Sequence, residues 1–139
     1  MSLSSVRSAL VTAFIASNAF DADTIAWENV AFTPPTDRPW AAVWFLPSQP
    51  TPGTLGPPGK GQDRVNGILQ IDLNYPIGSG ENLITDTADL INLTFYAGAY
   101  FTYNGQSVTI KSCGRGKSAV VNGFYKIPVT VYFYTFITR

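Results

Sequence analysis

The sequence is short of the side chains that most often carry catalysis and metal binding. Its 139 residues contain no histidine and a single cysteine, Cys113. Without a second cysteine there is no internal disulfide, and the usual ligand set for zinc is missing. The most common general base at neutral pH is absent as well. Chemistry by carboxylates alone stays open, but these absences argue against an enzyme that needs a metal or a histidine.

Charge is scarce too, because Asp, Glu, Lys and Arg make up 13% of the chain, about half of the ~25% typical of globular domains. Nine basic residues balance nine acidic ones. With no net charge, neither nucleic acid nor an anionic membrane surface is favoured as a partner. A protein with so few charges is expected to cover much of its surface with partners.

The apolar residues near the N-terminus predict a helix. Residues 1–20 contain one early arginine, Arg7, and an apolar run that Thr12 interrupts. We therefore interpret them as an amphipathic helix rather than a signal peptide. Ser2 or Ser4 can cap the helix. Its apolar side chains recur at helical spacing on one face: Leu3, Val6, Leu10, Ala13 and Phe14.

A second helix is predicted from Glu81 to Phe95. One stripe of this segment is apolar and consists of Ile84, Ala88, Ile91 and Phe95. Acidic residues near its start suit the positive end of the helix dipole. Gly98 then provides a termination signal. No apolar run in the chain reaches the ~18 residues of a membrane-spanning helix.

Strands are predicted where apolar side chains alternate. In the segment 67–80, one face carries Leu69, Ile71, Leu73 and Tyr75, and the wetter face carries Ile68, Gln70, Asp72 and Asn74. Residues 41–47 form another strand, rich in aromatic and branched side chains. Asn104-Gly105 and Asn122-Gly123 each separate two strand-like runs, which predicts two hairpins. The fold class is α+β: a mixed, mainly antiparallel sheet with two helices packed on one face, in a single domain of residues 1–139.

Residues 48–64 differ from the rest because proline and glycine dominate them. Leu55 is their only large apolar side chain, so the segment cannot bury enough surface to offset its ordering entropy. We expect a flexible loop that forms the extended tip of a hairpin. Loops of this length inside a compact domain are often functional, although a tolerated surface insertion is the alternative.

Three features resemble chemical motifs without matching them. Gly116-Lys117-Ser118 ends like a phosphate-binding loop, but Lys111 stands where the first glycine belongs and a strand follows. The carboxylates Asp72, Asp86 and Asp89 are predicted to be solvated. Cys113 lies near Lys111 and Arg115, which could lower the pKa of its thiol, yet without a histidine partner it is interpreted as structural.

The last predicted strand is unusually aromatic. Ile127, Val129 and Val131 face one way, together with Phe133 and Ile137, whereas the other face carries Tyr132, Tyr134 and Phe136. Two interpretations stay open for this second face. It fills a small second core, or it forms a subunit interface, where aromatic residues are enriched and charges depleted.

Several motifs, taken in order, resemble a known family. They are Trp27-Glu28-Asn29, Phe32 to Pro35, Gln70-Ile71-Asp72 and Tyr75-Pro76. In this order they resemble the tail terminator, or tail-completion, proteins of long-tailed bacteriophages. The resemblance implies a structural virion protein without enzyme activity or cofactor. It implies a ring of this chain, typically a hexamer, that caps the tail tube at its head-proximal end, stops tube polymerisation and presents the head-joining surface.

The partners expected from this resemblance are further copies of the chain, the tail tube protein and the neck or connector protein, with assembly in the host cytoplasm. The residues that we expect at interfaces are Tyr132, Tyr134, Phe136, Arg115, Lys117, Leu55, Lys60 and Arg64. No catalytic, cofactor or metal residue is predicted. One alternative is a neck or head-closure protein. Another is a small carbohydrate-binding module that uses Trp40, Trp44 and Tyr134.

Overall fold

The structure, a computed structural model, describes residues 2–57 and 59–138. This part of the chain contains two α-helices, α1 (Leu3–Ala16) and α2 (Asn82–Thr94), and one turn of 3-10 helix at Ala22–Thr24. Its eight strands are β1 (Ile25–Ala26), β2 (Trp40–Pro47), β3 (Thr51–Thr54), β4 (Gln62–Pro76), β5 (Tyr100–Tyr103), β6 (Gln106–Arg115), β7 (Ala119–Val121) and β8 (Phe124–Thr138).

All of these strands belong to one sheet with the order β1-β2-β4-β8-β6-β5. β3 continues alongside β4 beyond the end of β2, and β7 occupies the corresponding place beside β8. β1 runs parallel to β2, whereas the other pairs are antiparallel. The predicted mixed, mainly antiparallel sheet is therefore confirmed.

The two predicted helices are present and lie on the same face of the sheet. Ser2 caps α1, because its hydroxyl accepts a hydrogen bond of 3.3 Å from the Ser5 backbone N–H. The inward stripes of both helices join the strands in one buried core. The prediction that Gly98 ends the second helix is wrong, because α2 ends at Thr94 with Phe95 as its C-cap, and Gly98, with a φ of 90°, lies in the following turn. Among the described residues, no helix is long and apolar enough to cross a membrane.

The alternation in β4 places one row of side chains in the core, as predicted. Leu69, Ile71 and Leu73 are each 0% exposed, and Tyr75 is buried beside them. The Tyr75 hydroxyl is within hydrogen-bonding distance of the Thr87 hydroxyl on α2. Burial raises the pKa of Tyr75, so its phenol stays protonated as a hydrogen-bond donor.

The opposite face of β4 is not as wet as its sequence predicts. Asp72 and Asn74 are 3% and 5% exposed, so the prediction that Asp72 is solvated is wrong. The reason is that distant segments cover this end of the face. Phe32 packs on Trp40 at 5.4 Å between ring centroids, and Trp40 contacts Phe124 edge-on at 5.9 Å.

The segment 48–64 is more ordered in secondary structure than the predicted loop. β3 lies within it, and Gln62 to Arg64 already belong to β4. Thr51 pairs with Arg64, and Thr54 pairs with Gln62 across a bulge. Proline is tolerated here because β3 lies at the edge of the sheet. We call residues 51–57 and 59–66 together with Tyr134–Thr138 the arm, since they extend the sheet beyond β2.

The outer edge of β2 is protected against further strand pairing. The Glu28 carboxylate accepts a hydrogen bond from the Phe45 backbone N–H. Because Ser48 donates inward to the Asn66 carbonyl, its neighbour Pro47 faces outward, where it offers no N–H. An edge whose donors are covered or missing in this way is a poor template for another strand.

Gly67 marks a close approach between β4 and an aromatic stack. Phe45 and Phe133 stack with their centroids 5.6 Å apart and a 9° angle between their planes. A Cβ on Gly67 would lie 2.5 Å from the Phe133 ring and 3.0 Å from the Leu46 carbonyl oxygen. Glycine is therefore required at this point of the strand by space rather than by backbone angle.

The core assignment predicts a difference between two leucines on neighbouring strands. Leu69→Ala should lower the free energy of unfolding by about 2–5 kcal/mol, because it empties a fully enclosed site. Leu46→Ala is the matched control, since Leu46 is 48% exposed and should cost well below ~2 kcal/mol. Denaturant unfolding of both variants measures the difference. Equal losses would show that the two faces are not distinct.

The packing at Gly67 predicts that one added methyl group is harmful there and harmless nearby. Gly67→Ala should destabilise the fold by about 1–3 kcal/mol, because the Phe133 ring must move. Gly114→Ala, in β6, is the control, since a Cβ there has nothing within 4 Å. Thermal unfolding of the pair checks this, and a Gly67→Ala variant as stable as Gly114→Ala would contradict the packing.

Candidate functional site

The sheet face turned away from the helices, which we call the open face, carries an exposed aromatic cluster. Tyr132 and Phe136 are 46% and 40% exposed, and Tyr134 lies between them on β8. The Arg64 guanidinium lies 4.4 Å from the Tyr134 ring centroid and 5.7 Å from that of Phe136. We call these four residues the aromatic patch. The structure thus brings together four of the predicted interface residues, although Arg64 is distant in sequence from the rest.

The register of the strands extends this patch across the sheet. Leu46 pairs with Ile68, and Ile68 pairs with Tyr132, so the three side chains lie in one row. Trp44, in the next row on β2, is 38% exposed and Leu46 is 48% exposed. Of the two interpretations of the aromatic strand, a closed second core does not fit this exposure. A contiguous exposed apolar surface instead indicates an interaction site.

The other half of the open face is a cleft of about 310 Å³ with a carboxylate at its floor. Asp72 Oδ2 lies 3.2 Å from Lys126 Nζ, and the Gln70 side-chain amide donates to Asp72 Oδ1 at 3.1 Å. The walls are aromatic: Trp40, Trp44 and Phe124. The charge on Asp72 is therefore compensated within the fold, which assigns it a structural role in holding β4 against β8.

The remaining predicted interface residues lie elsewhere. Leu55, 88% exposed, and Lys60 lie in the connection between β3 and β4. Arg115 is the last residue of β6 rather than part of a turn, and it donates to the Thr85 hydroxyl on the helical side at 3.2 Å. Lys117 is exposed in the following turn. The basic pair is thus separate from the aromatic patch, since Arg115 pairs with Val129, five residues along β8 from Tyr134.

Helix α2 presents a second apolar surface that the sequence analysis did not assign to an interface. Leu83, Leu90 and Leu93 are 57%, 38% and 74% exposed. We call these three residues the leucine stripe. Their spacing of seven and three residues places them on one side of the helix, with Asp86 between them. The signal was available in the sequence, because these leucines lie outside the buried stripe of Ile84, Ala88 and Ile91.

Two groups with possible reactivity lie in surroundings that differ from the motifs they resemble. Burial raises the pKa of Cys113 to about 11, so the thiol is protonated at neutral pH, which agrees with its interpretation as structural and not with a lowering by Lys111 and Arg115. The residues after Gly116-Lys117-Ser118 form strand β7 rather than the helix of a phosphate-binding loop. Within residues 2–57 and 59–138, no group of three His, Cys, Asp or Glu side chains could hold a metal ion.

The domain thus carries both helices on one face of its sheet and a partly exposed aromatic surface on the other. The model of the phage tail terminator protein family matches residues 5–133. The chain therefore belongs to the phage tail terminator family and is a structural component of the phage tail.

Similarity to solved structures supports the fold independently. In one such match, the alignment covers 100% of this chain and 98% of the chain of the solved structure, with a TM-score of 0.74 and 19% sequence identity. At this identity the comparison shows a shared fold. No curated protein matches the sequence significantly.

The cleft makes a prediction about the Asp72–Lys126 pair. Lys126→Met should lower the free energy of unfolding by at least ~2 kcal/mol, because it leaves a buried carboxylate without its cation. The loss should stay below the ~5 kcal/mol of a fully buried pair, since the lysine side chain is 32% exposed. Adding Asp72→Asn should recover part of the loss.

The exposed pair between Arg38 and Asp23 is the matched control. Its side chains are 49% and 72% exposed, so Arg38→Met should cost below ~1 kcal/mol. Denaturant unfolding of the single and double variants measures these differences. If Lys126→Met costs no more than Arg38→Met, the pair in the cleft does not hold the fold.

Proposed function

We propose that the protein closes the head-proximal end of the phage tail tube as a ring of identical subunits, a hexamer by the family resemblance. The ring ends tube polymerisation and forms the surface that the neck or connector protein joins. The observation that carries the proposal, beyond family membership, is the exposed aromatic patch on the open face. Aromatic side chains with an arginine are the residues that most often dominate the affinity of protein interfaces.

The overall charge supports repeated self-association. Because basic and acidic residues balance, copies of the chain do not repel one another over long distances. A closed ring requires two different surfaces on each subunit, since a head-to-tail contact repeats around the axis. The aromatic patch supplies one of them. The exposed Leu55 and Lys60, beyond the patch along the arm, are suited to contact the tube or a neighbouring subunit.

The proposal favours a tail terminator over the two alternatives. A carbohydrate-binding surface needs free aromatic faces, but Trp40 is packed between Phe32 and Phe124. A neck or head-closure protein would share the ring and the fold, so tail length separates the two. Loss of a terminator leaves tubes of uncontrolled length, whereas loss of a neck protein leaves finished tails without heads.

The patch predicts that Tyr134→Ala impairs assembly while leaving the fold intact. The ring or its attachment to the tube should weaken by at least about tenfold at any salt concentration, because the lost contact is apolar and aromatic. Unfolding midpoints, sedimentation of the purified protein and electron microscopy of tails measure the effect. Tails should become overlong and headless.

Tyr103→Ala is the control for this experiment. Tyr103 is 41% exposed and lies in β5, away from the patch, so its loss should leave tail length unchanged. Tails of normal length and joined to heads in the Tyr134→Ala variant would remove the patch from the proposal. Finished but headless tails would assign the protein to the neck.

A further inference from the structure

We propose that the leucine stripe of α2 on one subunit docks onto the aromatic patch of a second copy of this chain. This inference rests on the proposed ring and deepens it by naming the two surfaces that meet. The interface is head-to-tail, since it joins a helix of one copy to the sheet of the next. It assigns a binding role to Leu83, Leu90 and Leu93 and to the acidic residue between them, Asp86.

Within the described part of the subunit, the side chains of the leucine stripe stay exposed. The opposite side of α2 is occupied, because Ile84, Ala88 and Ile91 are buried against the sheet. The three leucines are 38% to 74% exposed. Each would therefore gain free energy from further apolar burial in an interface. The aromatic patch cannot reach them within one subunit, because α2 and the patch lie on opposite faces of the same sheet.

The two surfaces are the two halves of an ordinary structural layer. Domains are built by packing the apolar stripe of a helix onto the apolar face of a sheet. In this chain one helix–sheet layer is complete within the subunit, and the leucine stripe and the aromatic patch are an apolar helix surface and an apolar sheet surface that stay exposed. Joining them between copies leaves the same two surfaces free at the ends of any open chain of subunits, and a closed ring covers all of them.

Charge complementarity specifies a second copy as the occupant. Helix α2 carries Asp86 and Asp89 and no lysine or arginine along Asn82–Thr94. The patch carries the guanidinium of Arg64. Asp86 lies among the leucines as Arg64 lies among the aromatic rings, so an apolar contact with one central ion pair matches both surfaces. Such a pair fixes the register of the subunits more than it adds affinity.

A charge-exchange experiment tests this contact directly. Arg64→Glu alone places like charges opposite each other, and so does Asp86→Lys alone. Each should weaken ring formation by about tenfold or more, with a smaller effect at high salt. An equimolar mixture of the two variants should recover it, because the new glutamate of one chain meets the new lysine of the next, and the unchanged pair forms at every other junction.

Recovery is scored as the mass of the oligomer by sedimentation and as tail completion in tail-assembly extracts that lack the native protein. The second readout counts rings that close only on the tube. Arg7→Glu and Asp37→Lys are the matched controls, since they reverse the same charges away from both surfaces. Neither should weaken assembly, and mixing either with a test variant should give no more rings than the control variant forms by itself. Leu90→Ser should act like Asp86→Lys but resist rescue.

The outcomes separate this inference from the proposed function. Recovery in the mixture establishes the contact between copies. No recovery by either readout, or normal assembly of both single variants, overturns it. Rings of normal mass that fail to cap tails would assign the patch to the tube protein, which overturns this contact and leaves the capping proposal standing. Recovery of rings in the mixture, with tail length unaffected by any variant, would establish the contact between copies and overturn the capping proposal.

Discussion

The structure depends on the pairing of β4 with β8. The two strands, each of 15 residues, pair along their whole length from Gln62 opposite Thr138 to Pro76 opposite Phe124. Side chains alternate in a strand, so this one register decides what both faces of the sheet contain. It sets Leu69 beside Val131 in the core and Arg64 beside Phe136 on the open face. Every other strand is attached to this ribbon directly or through one neighbour.

The two faces of the sheet differ in how much of their surface the rest of the chain covers. Both helices cover one face and form a single core with it. On the open face, Phe32, Trp40 and Phe124 cover one half and enclose the Asp72–Lys126 pair. The other half keeps its aromatic rings exposed, and α2 keeps its leucines exposed on the far side. Exposed apolar surfaces of this kind are typical of protein interaction sites.

Much of the candidate site could be predicted from the sequence, since the aromatic face of the last strand follows from alternation alone. The place of Arg64 could not, because it depends on the pairing of two strands separated by about half of the chain. The leucine stripe was visible but ambiguous, as a helix with apolar residues outside its buried stripe fits either a wider core or an interface. Arg115 was misplaced because β6 extends further than its turn-like composition suggests.

Local sequence patterns were enough to predict both helices with their inward stripes, the alternation of β4, and the hairpin turns at Asn104-Gly105 and Asn122-Gly123. Each depends on side chains within a few residues of one another, which is why pattern and turn chemistry suffice. Three features depend on long-range packing instead: the burial of Asp72, the additional strand at residues 51–54, and the position of Arg64 over the aromatic rings. Whether a face is covered depends on segments far away in sequence, and no local pattern records what they will pack against.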